Sequence, residues 1–413
     1  MPGTDTADAQ YDPFEAFTEM IGGDYRDPYP SFVDKRRDHP VHRGGLVDDL
    51  HKFMPEGMPE DDNSYTVFRF EDCSRVLRDP DIFSSAGYDS TIGMVMGHMI
   101  LGMDPPEHRP HRNLVAEAFR AKSLLRWEHE LIGAVCNELI DRFASRGRAE
   151  LVRELTFEFP VRVIARILGL PEEDYLQFQR WSVELIGIGA DIERGLAASE
   201  SLKEYFAHVV AKRRESPADD VISDLVTSEI DGQNLDDEEI YSFLRLLLPA
   251  GAETTYRSSG NLLYLLMTHP DQLEAVRQDR ALLGQAIEEG LRLEPPLLTI
   301  ARTATRDVEV AGFTIPGGAS VSPCLGSANR DETRWERPDT FDIFRPPQPH
   351  LAFAFGPHMC LGMHLARLET TVVLDAVLDR LPNLRLDPDG DDPHIRGVVF
   401  RSPNRLPVLF DPT

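Results

Sequence analysis

The sequence predicts a mainly α-helical fold with a minor β portion, and three observations carry that prediction. From about residue 108 to 290 apolar residues recur at helical spacing. One run, Asp237 to Thr268, would make a helix of roughly 48 Å at 1.5 Å per residue. Strand-like runs bounded by Gly and Pro are confined to 28–80 and to the chain after 296.

Taken in order, residues 1–13 are polar and without periodicity, which predicts poor order. Between 28 and 80 short helical pieces alternate with strand-like runs such as Tyr65 to Phe70. Arg148 to Gly169 has helical spacing, with apolar residues at 155, 159, 163, 164, 167 and 168, and Gly169 and Pro171 end it. The long run opens on Asp236 and Glu239, a capping-box pair, and stops at His269-Pro270. Leu262 to Met267 is apolar nearly all round, which predicts a buried helix, while Arg245, Glu253 and Arg257 exclude a membrane span. Short strands follow at Val308–Val310, Thr314–Ile315 and Ser320–Val321, then a helix from Gly362 to about Leu381. Neither repeats nor a linker divide the chain, so 1–413 is expected to form a single domain.

Composition excludes several function classes. Net charge is −27, from 70 acidic and 43 basic residues, which opposes general binding to nucleic acid or anionic lipid. Cys73, Cys136, Cys324 and Cys360 show no Cys-x-x-Cys spacing, so neither zinc nor a disulfide framework is suggested. The absence of a signal pattern or a long apolar run gives a cytoplasmic expectation.

Chemistry concentrates in a few segments. Cys360 follows Phe353, Gly356 and His358 and precedes Gly362. A cysteine binds iron as thiolate, and glycines here let backbone approach a flat ligand with N–H groups aimed at sulfur. A buried inert cysteine is the alternative. Within the long helix, Pro249 breaks the hydrogen-bond ladder, Ala250, Gly251 and Ala252 are small, and Glu253 and Thr254 put an acid beside a hydroxyl. Proton delivery is one use of such a pair; satisfying the loosened backbone is the other. Glu289 and Arg292 share a helix face, the geometry of a pair that is most often a surface bridge. His108 and Arg112 near a helix start form a candidate anion site, and Arg302 is an isolated cation beside the apolar run from Pro296 to Ala301.

Together these segments resemble a bacterial cytochrome P450, a haem-thiolate monooxygenase. The Phe-x-x-Gly-x-x-x-Cys-x-Gly pattern at Phe353, Gly356, Cys360 and Gly362 is similar to the family's ligand loop. Ala250 to Thr254 is similar to its oxygen-activating motif, and Glu289 with Arg292 to its Glu-x-x-Arg pair. The resemblance implies the P450 fold, a long helix crossing heme b, and Cys360 as axial thiolate. It also implies that His108, Arg112, Arg302 and His358 bind the haem propionates, and that Phe353 packs near the thiolate. Ala250 and Gly251 would lie against the haem, and Glu253 and Thr254 would deliver protons. Glu289, Arg292 and Arg345 would form a buried cluster. Pro249 and Ala354 depart from the family's usual residues, an apolar side chain and a glycine respectively.

The same resemblance implies O2 as co-substrate and electrons from NAD(P)H through a ferredoxin reductase and a ferredoxin. Arg109, Arg112, Arg120, Lys122 and Arg126 form a basic cluster that could dock an acidic ferredoxin or simply be a solvated helix face. Residues 81–103, by resemblance the cover of the distal pocket, are rich in Met, Ile and Gly, and no Lys or Arg occurs between 79 and 108. A neutral lipophilic substrate, of terpenoid, steroid or alkyl-aromatic type, is therefore expected, although each residue of the loop could equally be ordinary packing. The competing classes are a non-oxygenating haem-thiolate protein, for recruitment or isomerisation, and a peroxide-driven peroxygenase. The Glu253–Thr254 pair disfavours both.

Overall fold

A computed structural model describes residues 12–20, 23–46, 63–189, 191–230 and 232–413. Residues 1–11 of the polar N-terminal stretch lie outside the described residues, and a helix, Pro13–Met20, begins where that stretch ends. The long helix occupies Asp237–Thr268. Its capping box is formed: the Asp236 carboxylate accepts from the Glu239 N–H, and the Glu239 carboxylate accepts from the Asp236 N–H, both at 2.8 Å. Pro249 stands inside the helix without ending it.

Helices Glu158–Ile167, Ile192–Glu215, Leu283–Leu293 and Met363–Arg380 pack around this central rod. Tyr256, Leu262, Leu263 and Leu266 belong to one large apolar core. Close approach there needs small residues. A Cβ on Gly251 would lie 2.8 Å from the Ile164 side chain, and one on Gly290 would lie 3.0 Å from Leu262.

The expected helix over 148–169 is divided. Arg148–Glu150 is a strand paired antiparallel with Pro407–Leu409, a π-helical turn spans Val152–Thr156, and the α-helix covers Glu158–Ile167. Pairing with a strand near the C-terminus has overridden local periodicity. A five-stranded sheet runs in the order Val41–Arg43, Ser64–Val67, Ser320–Pro323, Arg302–Ala304, Phe83–Ser84. Ser64–Val67 and Ser320–Pro323 are parallel, and Arg302–Ala304 is bonded on both sides. Arg302 is therefore held by a central strand, with Val321 as its cross-strand neighbour.

Glu289 and Arg292 form no surface bridge. Both are buried, 2.7 Å apart, and Arg345 joins Glu289 at 3.3 Å. Arg292 also donates to the carbonyls of Asn329, Pro338 and Thr340, and the Asn329 side chain accepts from the Leu351 N–H at 2.7 Å. The cluster thus ties the segment before the cysteine loop to the helical core.

Candidate active site

The loop from Phe353 to Gly362 turns back on itself. The Cys360 N–H donates to the Phe353 carbonyl at 2.8 Å, and the Met359 N–H to that of Gly356 at 3.1 Å. Gly356 has φ +76, and a Cβ there would lie 2.5 Å from the Leu77 carbonyl. Its close approach is to the helix Phe70–Arg78, not to a ligand. Gly362 differs: nothing lies within 4 Å of where its Cβ would stand, and its backbone N–H is bonded to the Cys360 sulfur.

Protein surrounds Cys360 closely enough that burial pushes its thiol pKa up, against the Gly362 N–H, Arg112 and Arg367. The side chain is nevertheless exposed, unlike Cys73, Cys136 and Cys324. The sulfur is thus open on one side. Arg367, which sequence reasoning missed, stacks 4.5 Å over the Phe353 ring and pairs with Glu288 at 2.6 Å. Only its place one helical turn beyond the loop hinted at this.

His108 and Arg112 from one helix, Arg302 from a strand and His358 from the loop itself converge here. The rings of His108 and His358 are 4.0 Å apart. His108 Nε2, His358 Nε2 and Arg302 Nη2 are buried without a hydrogen-bond partner. Burial, then the neighbouring cations, pulls His358 down to about 3 and lowers His108. Arg112 donates to the Met359 carbonyl. A cavity of about 230 Å³, lined in part by Ser85, Tyr88 and Thr303, opens beside Arg302. Orphaned buried nitrogens are costly, and a ligand with two carboxylates would satisfy them, by pairing with Arg302 and by drawing protons onto the histidines. The residues present fit a haem with its propionates here and its iron at Cys360.

On the central helix, Ala250 is exposed, Gly251 and Thr254 are half-buried, and Pro249 and Ala252 are buried. The face carrying 250 and 254 is thus the one that opens. Ile164 occupies the side of Gly251 where a Cβ would stand, and Ala252 is buried. Thr254 Oγ1 donates to the Ala250 carbonyl at 3.2 Å. Glu253 is turned away from Thr254: it is buried and meets Arg257 at 3.1 Å, and Arg257 donates to Ser402 Oγ at 2.9 Å. Adjacent helical residues do not share a face. Burial raises the Glu253 pKa, and Arg257 opposes it.

The basic cluster is smaller than its sequence. Arg112 faces inward, Arg120 pairs with Glu117, and Arg126 meets Asp219 at 2.5 Å, which leaves Arg109 and Lys122 exposed with no partner carboxylate among the described residues. In the 81–103 loop, Val95, Met96 and Met99 belong to the main core, the ordinary packing that sequence left open.

Fold and site describe a haem-thiolate protein, and comparison with known proteins agrees. The Cytochrome P450 family model matches residues 173–406. Cytochrome P450 107B1 of Saccharopolyspora erythraea is 34% identical over 410 residues, 95% of this chain and 96% of that protein. A steroid C26-monooxygenase of Mycolicibacterium smegmatis is 37% identical over 344 residues, 81% of this chain and 85% of that one. The crystal structure of CYP109E1 from Bacillus megaterium with testosterone superposes with a TM-score of 0.82 at 32% identity, covering 93% of this chain and 99% of that one. The chain belongs to the cytochrome P450 family, and it is a haem-dependent monooxygenase. In this family the cysteine thiolate donates electron density that favours O–O cleavage.

Proposed function

We propose that this P450 oxidises a lipophilic small molecule, with Cys360 as the iron ligand and a ferredoxin with its reductase as electron source. The observation that carries the reading is the convergence of an exposed thiol with three buried, unpartnered nitrogens of His108, Arg302 and His358. Gly362 N–H, Arg112 and Arg367 favour the ionised sulfur. The half-buried Thr254 holds its proton on the Ala250 carbonyl, at the open face. Glu253 serves as proton source only by releasing Arg257, so the relay needs a side-chain rotation. The steroid-oxidising relative supports a lipophilic substrate.

The reduced, carbon-monoxide-bound absorption spectrum tests the ligand assignment. A strongly red-shifted Soret band that disappears in Cys360→Ser supports it; a band typical of histidine ligation overturns it. For the partner, Arg109→Glu should slow electron transfer from ferredoxin and flatten its salt dependence, and unchanged rates would remove Arg109 from the docking face. Product formation with peroxide alone, at rates matching ferredoxin and NAD(P)H, would favour a peroxygenase instead.

A further inference from the structure

We propose that Arg367, clamped by Glu288 and Phe353, is a positioning residue whose charge, acting through the Cys360 sulfur, sets how readily the haem accepts an electron. The inference rests on the haem-thiolate reading above. Arg367 is the fifth residue of the helix Met363–Arg380. That end of a helix favours anions, yet no acid stands in the first turn. Arg380, in the last turn, is where a helix cation ordinarily gains from the dipole. The helix itself therefore gives no reason for a cation at 367. The reason lies in what the side chain faces.

Three contacts fix the guanidinium. Nε and Nη2 donate to the two carboxylate oxygens of Glu288 at 2.6 and 2.9 Å, and the group lies 4.5 Å over the Phe353 ring. A bidentate pair stacked on a ring keeps one geometry, unlike an ordinary surface bridge. Glu288 is held in turn by His350, whose Nε2 lies 3.3 Å from Oε2. His350 Nδ1 accepts from the Ala352 N–H at 3.1 Å, which leaves the ring proton on Nε2, beside the carboxylate. Burial alone would raise the Glu288 pKa, but Arg367 and His350 hold it down to about 2. Both charges of the pair thus persist at neutral pH. The adjacent Glu289 faces elsewhere, into the buried cluster of Arg292 and Arg345.

The clamp reaches the cysteine through the loop. The Phe353 carbonyl accepts the Cys360 N–H at 2.8 Å, so the ring beneath Arg367 and the cysteine belong to one hydrogen-bonded turn. Burial opposes ionisation of the Cys360 thiol, and the Gly362 N–H, Arg112 and Arg367 favour it. Arg112 stands in the group that would meet the haem propionates, whose carboxylates would take up its charge. Arg367 stands outside that group, and its one carboxylate among the described residues is Glu288. Their side chains are 30% and 40% exposed, which keeps the influence on the sulfur moderate. A cation near a metal ligand stabilises the form that has gained an electron, and an anion the form that has not. Arg367 therefore eases reduction, and Glu288 tempers it.

The test is the midpoint potential of the haem-loaded protein, titrated spectroelectrochemically without a redox partner, so that docking contributes nothing. The step read is one electron passing from a mediator, which is oxidised, to the ferric haem, which is reduced. Arg367→Met should make reduction less favourable by about threefold or more, and Glu288→Gln should make it more favourable by a similar factor. Arg367→Lys keeps the charge and should stay within about twofold of the parent. Opposite signs are what a structural clasp cannot give, since breaking a clasp from either side shifts both variants the same way. Unmoved potentials, shifts of one sign, or Arg367→Lys behaving like Arg367→Met each overturn the proposal. If Arg367→Met loses its haem, the rise expected of Glu288→Gln still decides. A normal thiolate spectrum with unmoved potentials refutes the tuning alone, whereas a parent without the thiolate band refutes the haem-thiolate reading beneath it.

Discussion

Buried charge is handled differently in two regions of this molecule. Beneath the cysteine loop, Glu289 holds Arg292 and Arg345, and Glu294 holds Arg330, Arg401 and the Tyr29 hydroxyl. Arg330 also lies 3.3 Å over the Tyr29 ring. Around the haem cleft, Arg302 is just as buried and touches no carboxylate among the described residues. The first region is complete within the chain. The second is completed by what binds. Paired charges therefore mark where the fold is fixed, and unpaired ones mark where ligands are received.

The largest effect should follow from breaking the complete region. Glu289→Gln leaves Arg292 and Arg345 buried without a counter-charge, and should cost about 3–5 kcal/mol in urea unfolding of the haem-loaded protein. A loss under about 1 kcal/mol, the range of surface pairs, would mean that the backbone bonds of Arg292 hold the cluster instead.

Glu369 offers a buried acid that lacks a cationic partner. It sits on the helix Met363–Arg380, 1% exposed, with Oε1 unbonded and Thr255 as its hydrogen-bond neighbour. Burial pushes its pKa from the ordinary 4.5 to about 8. The folded protein then keeps a proton that the unfolded chain gives up, so stability is full below about pH 4.5 and falls as pH rises toward 8, by about 1.4 kcal/mol per pH unit. Glu369→Gln should remove that slope, leaving the variant more stable than the parent at pH 7. Parallel stability curves for the two proteins from pH 5 to 8 would show that Glu369 is ionised in the fold.

These contrasts divide what sequence could show from what it could not. The central helix, its cap and the cysteine loop are written in local spacing, and all were legible. Arg148–Glu150 was not, because its strand partner lies at Pro407–Leu409, far along the chain. Gly251 and Gly356 were legible as small, but their neighbours Ile164 and Leu77 belong to other elements. Glu253 and Thr254 are adjacent in sequence yet face different partners, which the rotation of a helix already implies.

Arg302 sharpens the comparison from the open side. Arg302→Gln should leave the stability of the haem-free protein unchanged or higher, since it removes an unpaired buried charge. Haem should dissociate roughly tenfold faster or more, matching a lost charge-assisted bond of about 1.5–3 kcal/mol. Transfer of haem to an apo-globin acceptor measures that rate. Equal destabilisation of both forms would instead class Arg302 with the structural arginines.

The smallest effect supplies an uncharged control. Ala354 has φ +57 in the cysteine loop, a left-handed conformation that costs an L-residue roughly 1–2 kcal/mol and glycine little. Glycine returns part of that through the greater freedom of the unfolded chain, so Ala354→Gly should stabilise the protein by no more than about 1 kcal/mol. The Soret band should not move, because the loop is already set by the Ala354 N–H to Leu351 and the Cys360 N–H to Phe353, both at 2.8 Å. Destabilisation would mean that the Ala354 methyl, packed against the apolar cluster of Leu77 and Leu351, outweighs the backbone strain. The ligand loop would then be held by side-chain packing as well as by its own hydrogen bonds, and the complete region of the molecule would extend to the cysteine itself.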